Sequence, residues 1–316
     1  MKLRFCTVGL ALTLVFTWCA AASAQQEKAK DTEKRPQLPG ILGGLKVERD
    51  IEYARVGELS LKLDVYVPDN PAKPLPLLVW LHGGGWSEGS KTPCPGLFFS
   101  GRGYVVASID YRLTGVAPFP AQIEDCRAAL RWLRANASKY HIDPQRIGVW
   151  GASAGGHLAA LMGTANDQKE WDVVGTHTDQ PIRVQAVCDF FGPADFTRFD
   201  PGHPEAQARS DVGRLLGGAL ADKQAEARAA SPVTYVSADD PPFLIIHGDQ
   251  DQVVPPDQSE RLYEALKKAG VDVTIIRLKN WGHGLSPLGD PSPRALYLRV
   301  CEFFEKHLKT APKAAP

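Results

Sequence analysis

The stretch Gly151-Ala152-Ser153-Ala154-Gly155 follows directly on the apolar run Arg146-Ile147-Gly148-Val149-Trp150. A buried strand that ends in Gly-x-Ser-x-Gly and opens into a helix, here from Ala154 to near Gly163, turns so sharply that the serine adopts a strained backbone angle. Side chains two positions to either side would collide, and the small residues at 151, 152, 154, 155 and 156 remove that collision. The turn lifts the Ser153 hydroxyl above the sheet edge, where the helix N–H groups and the positive end of its dipole also point. An ordinary strand-to-helix turn whose serine is only an N-cap has the same pattern. What else the chain brings nearby has to decide between the two.

Read in order, the chain alternates strands and helices. Val47 to Val56 and Leu59 to Val67 are β-rich and joined by Gly57-Glu58, which makes an antiparallel hairpin at one edge. Continuous apolar runs at Leu75 to Leu81, Val105 to Ile109, Val184 to Phe191 and Phe243 to Ile246 suit strands buried on both faces. Val271 to Leu278 is the last strand. Helical spacing of Ile123, Cys126, Leu130 and Leu133 predicts a helix within Phe119 to Ala137, and Ser259 to Ala269 forms another, closed by Gly270. Leu296, Val300, Phe303, Phe304 and Leu308 line one face of a terminal helix. The expected fold class is therefore α/β, a mostly parallel central sheet with an antiparallel edge hairpin and helices on both faces. Residues 192–235 break into short helical pieces and are expected to give partial cover to the site.

The ends of the chain bear on compartment. Met1-Lys2-Leu3-Arg4, the apolar run from Phe5 to Ala22 and Ala22-Ser23-Ala24 read as a signal peptide (1–24) cut after Ala24, with a secreted or periplasmic destination. Residues 25–44 form a flexible lead-in, 45–309 the catalytic domain, and 310–316 a disordered tail. With Lys2 and Arg4 in the leader, 34 basic residues face 36 acidic ones. That balance gives no basic field for nucleic acid, and no stable membrane insertion is expected once the leader is removed. Cys94, Cys126, Cys188 and Cys301 read as small buried apolar residues rather than a disulfide framework. No metal-ligand spacing, phosphate loop or cofactor motif appears, so no metal and no cofactor are expected.

A serine hydroxyl needs a base, and the base an orienting acid. Among eight histidines, His283 sits in Trp281-Gly282-His283-Gly284 shortly after the last strand and is the candidate base. His307 belongs to the terminal helix. His157, one turn after Ser153, reads as a packing or hydrogen-bonding residue beside the site. For the acid, Asp249 and Asp251 compete in the loop after His247-Gly248; Asp249 is also placed as a turn residue that bonds its own backbone. His82-Gly83-Gly84-Gly85 follows a buried strand, and its side-chain-free backbone suits an oxyanion hole made by Gly84 and Gly85 with Ala154. Trp86 and Trp281 are candidate flat faces for a sugar or phenolic ring, with core packing as the alternative.

These motifs resemble those of the α/β-hydrolases of the hormone-sensitive-lipase-like esterase group, and within it the secreted carbohydrate esterases with acetylxylan and feruloyl esterase activities. The residues that carry the resemblance are His82 to Trp86, Asp110-Tyr111-Arg112-Leu113, Gly151 to Leu158, His247 to Asp251 and Gly282-His283-Gly284, within a likeness that runs from Val47 to Leu308. The resemblance selects Asp251 as the acid and implies ester hydrolysis by a Ser153–His283–Asp251 triad; the export signal, the short lead-in and the candidate faces of Trp86 and Trp281 point to short-acyl or hydroxycinnamoyl esters of small-molecule or carbohydrate alcohols as the expected substrates. A small amidase, formamidase or peptidase on the same fold, and an inactive binding protein, are the competing readings. The absence of the cap domain usual before the first strand of lipase-like members implies a shallow site.

Overall fold

The computed structural model describes residues 44–200, 202–284 and 291–309. The signal peptide, the lead-in up to residue 43 and the tail from residue 310 expected from the sequence lie outside the described residues. The strands are β1 (Leu45–Val56), β2 (Leu59–Pro68), β3 (Leu75–Leu81), β4 (Val105–Ile109), β5 (Ile142–Ala152), β6 (Ala186–Phe190), β7 (Phe243–Gly248) and β8 (Val273–Leu278). They join in one sheet in the order β1-β2-β4-β3-β5-β6-β7-β8. The β1–β2 and β2–β4 pairs are antiparallel and the others parallel. The expected fold class is therefore observed.

Period-two alternation assigns the side chains of the inner strands to two cores. Leu77, Val79, Ile147, Val149, Val187, Phe243 and Ile245 face one core with helices α2 (Ala121–Ala135), α3 (Ala154–Thr164) and α6 (Asp257–Ala269). Leu78, Trp80, Trp150, Cys188, Leu244 and Ile246 face the other, under α1 (Leu97–Ser100) and α7 (Pro293–Leu308). A continuous apolar run was the right signature because each of these strands is covered on both sides. On the α7 face, Gly148 leaves room for the Phe304 ring and the Leu78 side chain, 2.7 and 2.8 Å from where a Cβ would sit. The four cysteines at 94, 126, 188 and 301 are buried and free.

Several boundaries differ from the sequence reading by a few residues, and three of them have a local reason. β8 begins at Val273 because Gly270, left-handed at φ 85°, closes α6, and the Val271 N–H caps it by donating to the Leu266 carbonyl at 3.0 Å. β6 begins at Ala186 because the Gln185 side chain, as well as its backbone, bonds Ile147. β5 reaches back to Ile142 across Pro144, with a register shift against β3 that no apolar run announces. Between β6 and β7 lie the short helices α4 (Asp211–Leu216) and α5 (Gln224–Ala230) and several 3-10 turns.

Packing of α7 on the sheet should be a large share of stability. Phe304 is fully buried, edge-on to Phe99 at 6.0 Å. Phe304→Ala is expected to lower unfolding free energy by about 3–5 kcal/mol in urea melts at unchanged m; a loss under about 1 kcal/mol would show that the helix is held by other contacts.

Candidate active site

β5 ends at Ala152, and Ser153 turns the chain into α3 with φ 56° and ψ −120°, a left-handed region that costs a non-glycine residue roughly 1–3 kcal/mol. The surroundings force it. A methyl group on Gly151 would fall on the Gly155 carbonyl, and one on Gly155 on the Leu81 carbonyl, so strand, turn and helix close up only with glycine at both. The Ser153 N–H donates to the Phe190 carbonyl at 2.8 Å, and the His157 N–H to the Ser153 carbonyl at 3.0 Å. The Ser153 side chain makes no N-cap hydrogen bond, which disposes of the plain-cap alternative.

Instead the Ser153 Oγ lies 2.9 Å from His283 Nε2, and His283 Nδ1 lies 2.7 Å from Asp251 Oδ2. Since the carboxylate can only accept, Nδ1 carries the proton and Nε2 accepts from the serine hydroxyl. Asp251 is 3% exposed. Its Oδ1 accepts from the Val253 and Val254 N–H groups, both at 2.9 Å, and its Oδ2 also meets His247 Nε2 at 3.1 Å. Burial alone would push this carboxyl up, but hydrogen bonds from His247 and His283 outweigh it and hold it well below the usual carboxylate range. Asp249, the competing acid, is exposed and accepts from the Asn280 N–H at 2.6 Å, away from His283.

The loop after β3 faces the same serine. Gly84, Gly85 and Trp86 all have positive φ, at 106°, 55° and 56°. The Gly84 carbonyl accepts from the Ser87 and Glu88 N–H groups at 3.0 Å. Among the described residues, the N–H groups of Gly84, Gly85 and Ala154 donate to no protein acceptor. The Asp110-Tyr111-Arg112 motif braces this loop from below. Tyr111 stacks on His82 at 4.2 Å and donates its hydroxyl to the His82 carbonyl at 2.8 Å, while Arg112 is tied to Asp125 and Glu124.

Ser153 and His283 open into a cleft of about 360 Å³ bordered by Gly84, Trp86, Phe191, Phe199 and Val253. The segment 192–235 lines one side of it through Pro193, Phe199, Glu205, Asp211 and Val212. Of the two readings the sequence left open for the tryptophans, the structure favours core packing. Trp281 is 3% exposed, packs in the core under α7 and does not border the cleft. Trp86 borders it but is also 3% exposed, with its indole N–H turned inward to His157. Glycine-flanked position was a poor guide because the same flexible loops let a large ring fold back into the core.

The structure adds roles that the motifs did not assign. Phe191, at φ 44°, sets its ring edge-on to His283 at 4.8 Å. His247 donates through Nε2 and receives the Ser259 hydroxyl at Nδ1, 2.6 Å away, which steadies the Asp251 loop. Asp189, fully buried near the end of β6, accepts the Gly192 N–H at 2.9 Å through Oδ1 and, among the described residues, has no partner for Oδ2. A lone acid at a strand end carries no motif, so only three-dimensional proximity could reveal it.

A parallel sheet with an antiparallel edge, crossed by helices on both faces and carrying a Ser–His–Asp hydrogen-bonded chain at the carboxyl ends of its strands, defines an α/β-hydrolase. Comparison with known proteins agrees. The chain belongs to the BD-FAE family, whose model matches residues 63–266, and the esterase-group resemblance read from the motifs is borne out. It is 35% identical over 263 residues to esterase LipC of Mycobacterium tuberculosis, an alignment that covers 80% of this chain and 64% of LipC. The chain therefore spans just under two thirds of that relative. Among solved structures, a truncated carbohydrate esterase from gut microbiota superposes with a TM-score of 0.75 at 31% identity, covering 84% of this chain and 97% of that one. A thermophilic esterase of Thermogutta terrifontis, Est2, superposes with a TM-score of 0.69 at 28% identity, covering 88% and 97%.

Asp189 makes stability depend on pH. Burial pushes its carboxyl up to about 7, against lowering by the Gly192 N–H and the nearby His247. The unfolded chain releases that proton near pH ~4. Between these values the folded state binds more protons, so stability falls as pH rises, and the full cost stands above about pH 7. Asp189→Asn is therefore expected to raise Tm relative to the parent more at about pH 8 than at about pH 5. Equal shifts at both pH values would show that Asp189 ionises freely in the folded chain.

Proposed function

We propose that this protein is a serine carboxylesterase that cleaves esters through an acyl-enzyme, with Ser153 as nucleophile, His283 as general base and acid, and Asp251 as the orienting carboxylate. The observation that carries the reading is the unbroken hydrogen-bonded chain Ser153–His283–Asp251, whose Ser153 and His283 border one cleft with Gly84 and Gly85.

The steps follow from those positions. As the Ser153 Oγ attacks an ester carbonyl, its proton passes to His283 Nε2, and the imidazolium is stabilised by Asp251 through Nδ1. Negative charge on the carbonyl oxygen meets the N–H groups of Gly84, Gly85 and Ala154, which are already oriented and so reorganise little during reaction. His283 then delivers the proton to the leaving alkoxide. A water molecule repeats the sequence on the acyl-enzyme, with His283 again taking the proton and returning it to Ser153. Asp251 is suited to its part because four donors hold it ionised while buried.

The substrate reading is a short acyl or hydroxycinnamoyl ester, with a carbohydrate as the alcohol. The cleft of about 360 Å³ is small for a long chain, and a solved relative is described as a carbohydrate esterase. We also propose export through the leader at residues 1–24. Among the described residues no helix is long and apolar enough to cross a membrane.

Two measurements test this reading. Ser153→Ala and Asp251→Asn should each lower kcat by about 10³-fold or more, whereas Asp249→Asn should lower it less than about threefold; the reverse order of the two aspartates would remove Asp251 from the triad. Across aryl esters from acetyl to palmitoyl, with acetylated xylan and methyl ferulate alongside, kcat/KM should fall steeply beyond about six acyl carbons, where further methylenes find no apolar wall. Best activity on palmitoyl esters, with both carbohydrate-type substrates inert, would overturn the substrate class and leave the triad standing.

A further inference from the structure

Three consecutive residues with positive φ are hard to hold, and the third of them, Trp86, has a Cβ to accommodate at φ 56°. Left-handed backbone costs an ordinary residue roughly 1–2 kcal/mol, so the loop that carries the Gly84 and Gly85 N–H groups needs an external restraint. Its main chain has one at the far end, where the Thr114 N–H donates to the Trp86 carbonyl at 2.8 Å. Beside the Tyr111 brace at its start and the Ser87 hydroxyl bonded to Asp211, a further restraint is a side chain. The Trp86 indole N–H donates to His157 Nδ1 at 3.1 Å, with the two rings edge-on at 5.3 Å and Phe196 closing the cluster at 5.9 and 5.1 Å.

We propose that His157 is a positioning residue that fixes the Gly84–Gly85–Trp86 loop in register with Ser153 through the Trp86 indole N–H; this rests on the esterase reading above. His157 is fully buried, and its Nε2 lies 2.7 Å from the Ala230 carbonyl, which can only accept. Nε2 therefore carries the hydrogen, and Nδ1 presents the one lone pair aimed at the indole. Both bonds exist together only in the neutral ring with that tautomer. Burial, opposed in part by the Ala230 bond, holds the imidazole down to about 4, so this state persists across neutral pH.

The place of His157 makes the restraint specific. It lies one turn into α3, and its own N–H closes the first turn on the Ser153 carbonyl at 3.0 Å. One residue thus fixes the helix start that carries Ser153 and Ala154 and, through its ring, the loop that supplies Gly84 and Gly85. Its third contact, Ala230 at the end of α5, belongs to the segment whose Phe199, Glu205 and Asp211 line the cleft. Oxyanion loop and cleft wall are thus both tied through one imidazole to the helix that starts at the nucleophile. Small displacements of such donors are costly, since about 1 Å of misplacement can lower turnover about 10²-fold. Trp86, which the sequence left open between a sugar platform and a core aromatic, is the pillar of the oxyanion loop.

The test is a mutant cycle read by kcat and KM at a temperature where circular dichroism shows every variant folded. His157→Phe keeps the ring volume and leaves the indole N–H unpaired; kcat should fall about 10- to 100-fold with KM within about twofold. His157→Asn, whose Oδ1 can accept from the indole, should recover most of that loss. In a Trp86→Phe background, His157→Phe should add less than about threefold, because the shared bond is already gone. Should His157→Phe fail to fold, His157→Asn in the two backgrounds carries the same test: near-parent kcat with Trp86 intact, and no further benefit of the amide in the Trp86→Phe background. A catalysis-independent arm follows the Trp86 indole N–H by NMR, which should stay protected from exchange in the parent and in His157→Asn. The proposal is overturned if kcat follows Tm alone, if the asparagine variant is as impaired as the phenylalanine one, or if the two losses multiply in the double variant. Ser153→Ala measured alongside separates the failures. Turnover retained there sinks the esterase reading, whereas its loss together with an unimpaired His157→Phe sinks only this proposal.

Discussion

The left-handed backbone at Ser153 is the constraint on which the other parts of the site depend. It is unfavourable in isolation, and it is held because β5 enters it and α3 leaves it with no room for side chains at Gly151 or Gly155. The neighbouring strand secures it further, since the Ser153 N–H is taken by the Phe190 carbonyl on β6. Ser153 therefore sits between the β3 loop on one side and the ends of β6 and β7 on the other, as the strand order requires. That order brings the glycine loop, the serine and the acid loop together in space, although they lie far apart along the chain. In the sheet only β5 and β6 stand between β3, which leads into the glycine loop, and β7, which leads into the acid loop.

Two buried carboxylates near this point show how environment divides similar groups into different states. Asp251 receives four hydrogen bonds and is held ionised, which is what an acid that orients an imidazole requires. Asp189, at the end of β6, receives one and is pushed towards the neutral form. The difference comes from the loops. The residues after Asp251 fold back to offer Val253 and Val254 N–H groups, whereas those after Asp189 offer only Gly192. His247 contributes to the contrast, because it donates to Asp251 directly and reaches Asp189 only through space.

Much of this was legible in the sequence, and for identifiable reasons. The inner strands were readable because burial on both faces leaves a continuous apolar run, and the elbow because its steric demand restricts several positions at once. Ser153 and His283 were legible from glycine-bounded motifs at strand ends. Asp251 was not separable from Asp249 by spacing alone, since both follow the same strand; what distinguishes them is which carboxyl the loop turns inward. Whether the tryptophans at 86 and 281 face substrate or core was left open, because exposure is a property of the packed loop, not of its neighbours in sequence. Asp189, Phe191 and the bond from Trp86 to His157 had no local signal, since each acquires its partner only when distant strands and helices meet.

The role of Ser153 as the nucleophile of an acyl-enzyme is tested most directly by treating the protein with paraoxon and mapping the adduct by mass spectrometry while residual ester hydrolysis is followed. One phosphoryl adduct per chain is expected, on the peptide that contains Ser153, with activity lost in proportion to labelling. Activity that survives complete labelling, or an adduct on another residue that accounts for the loss, would contradict that role.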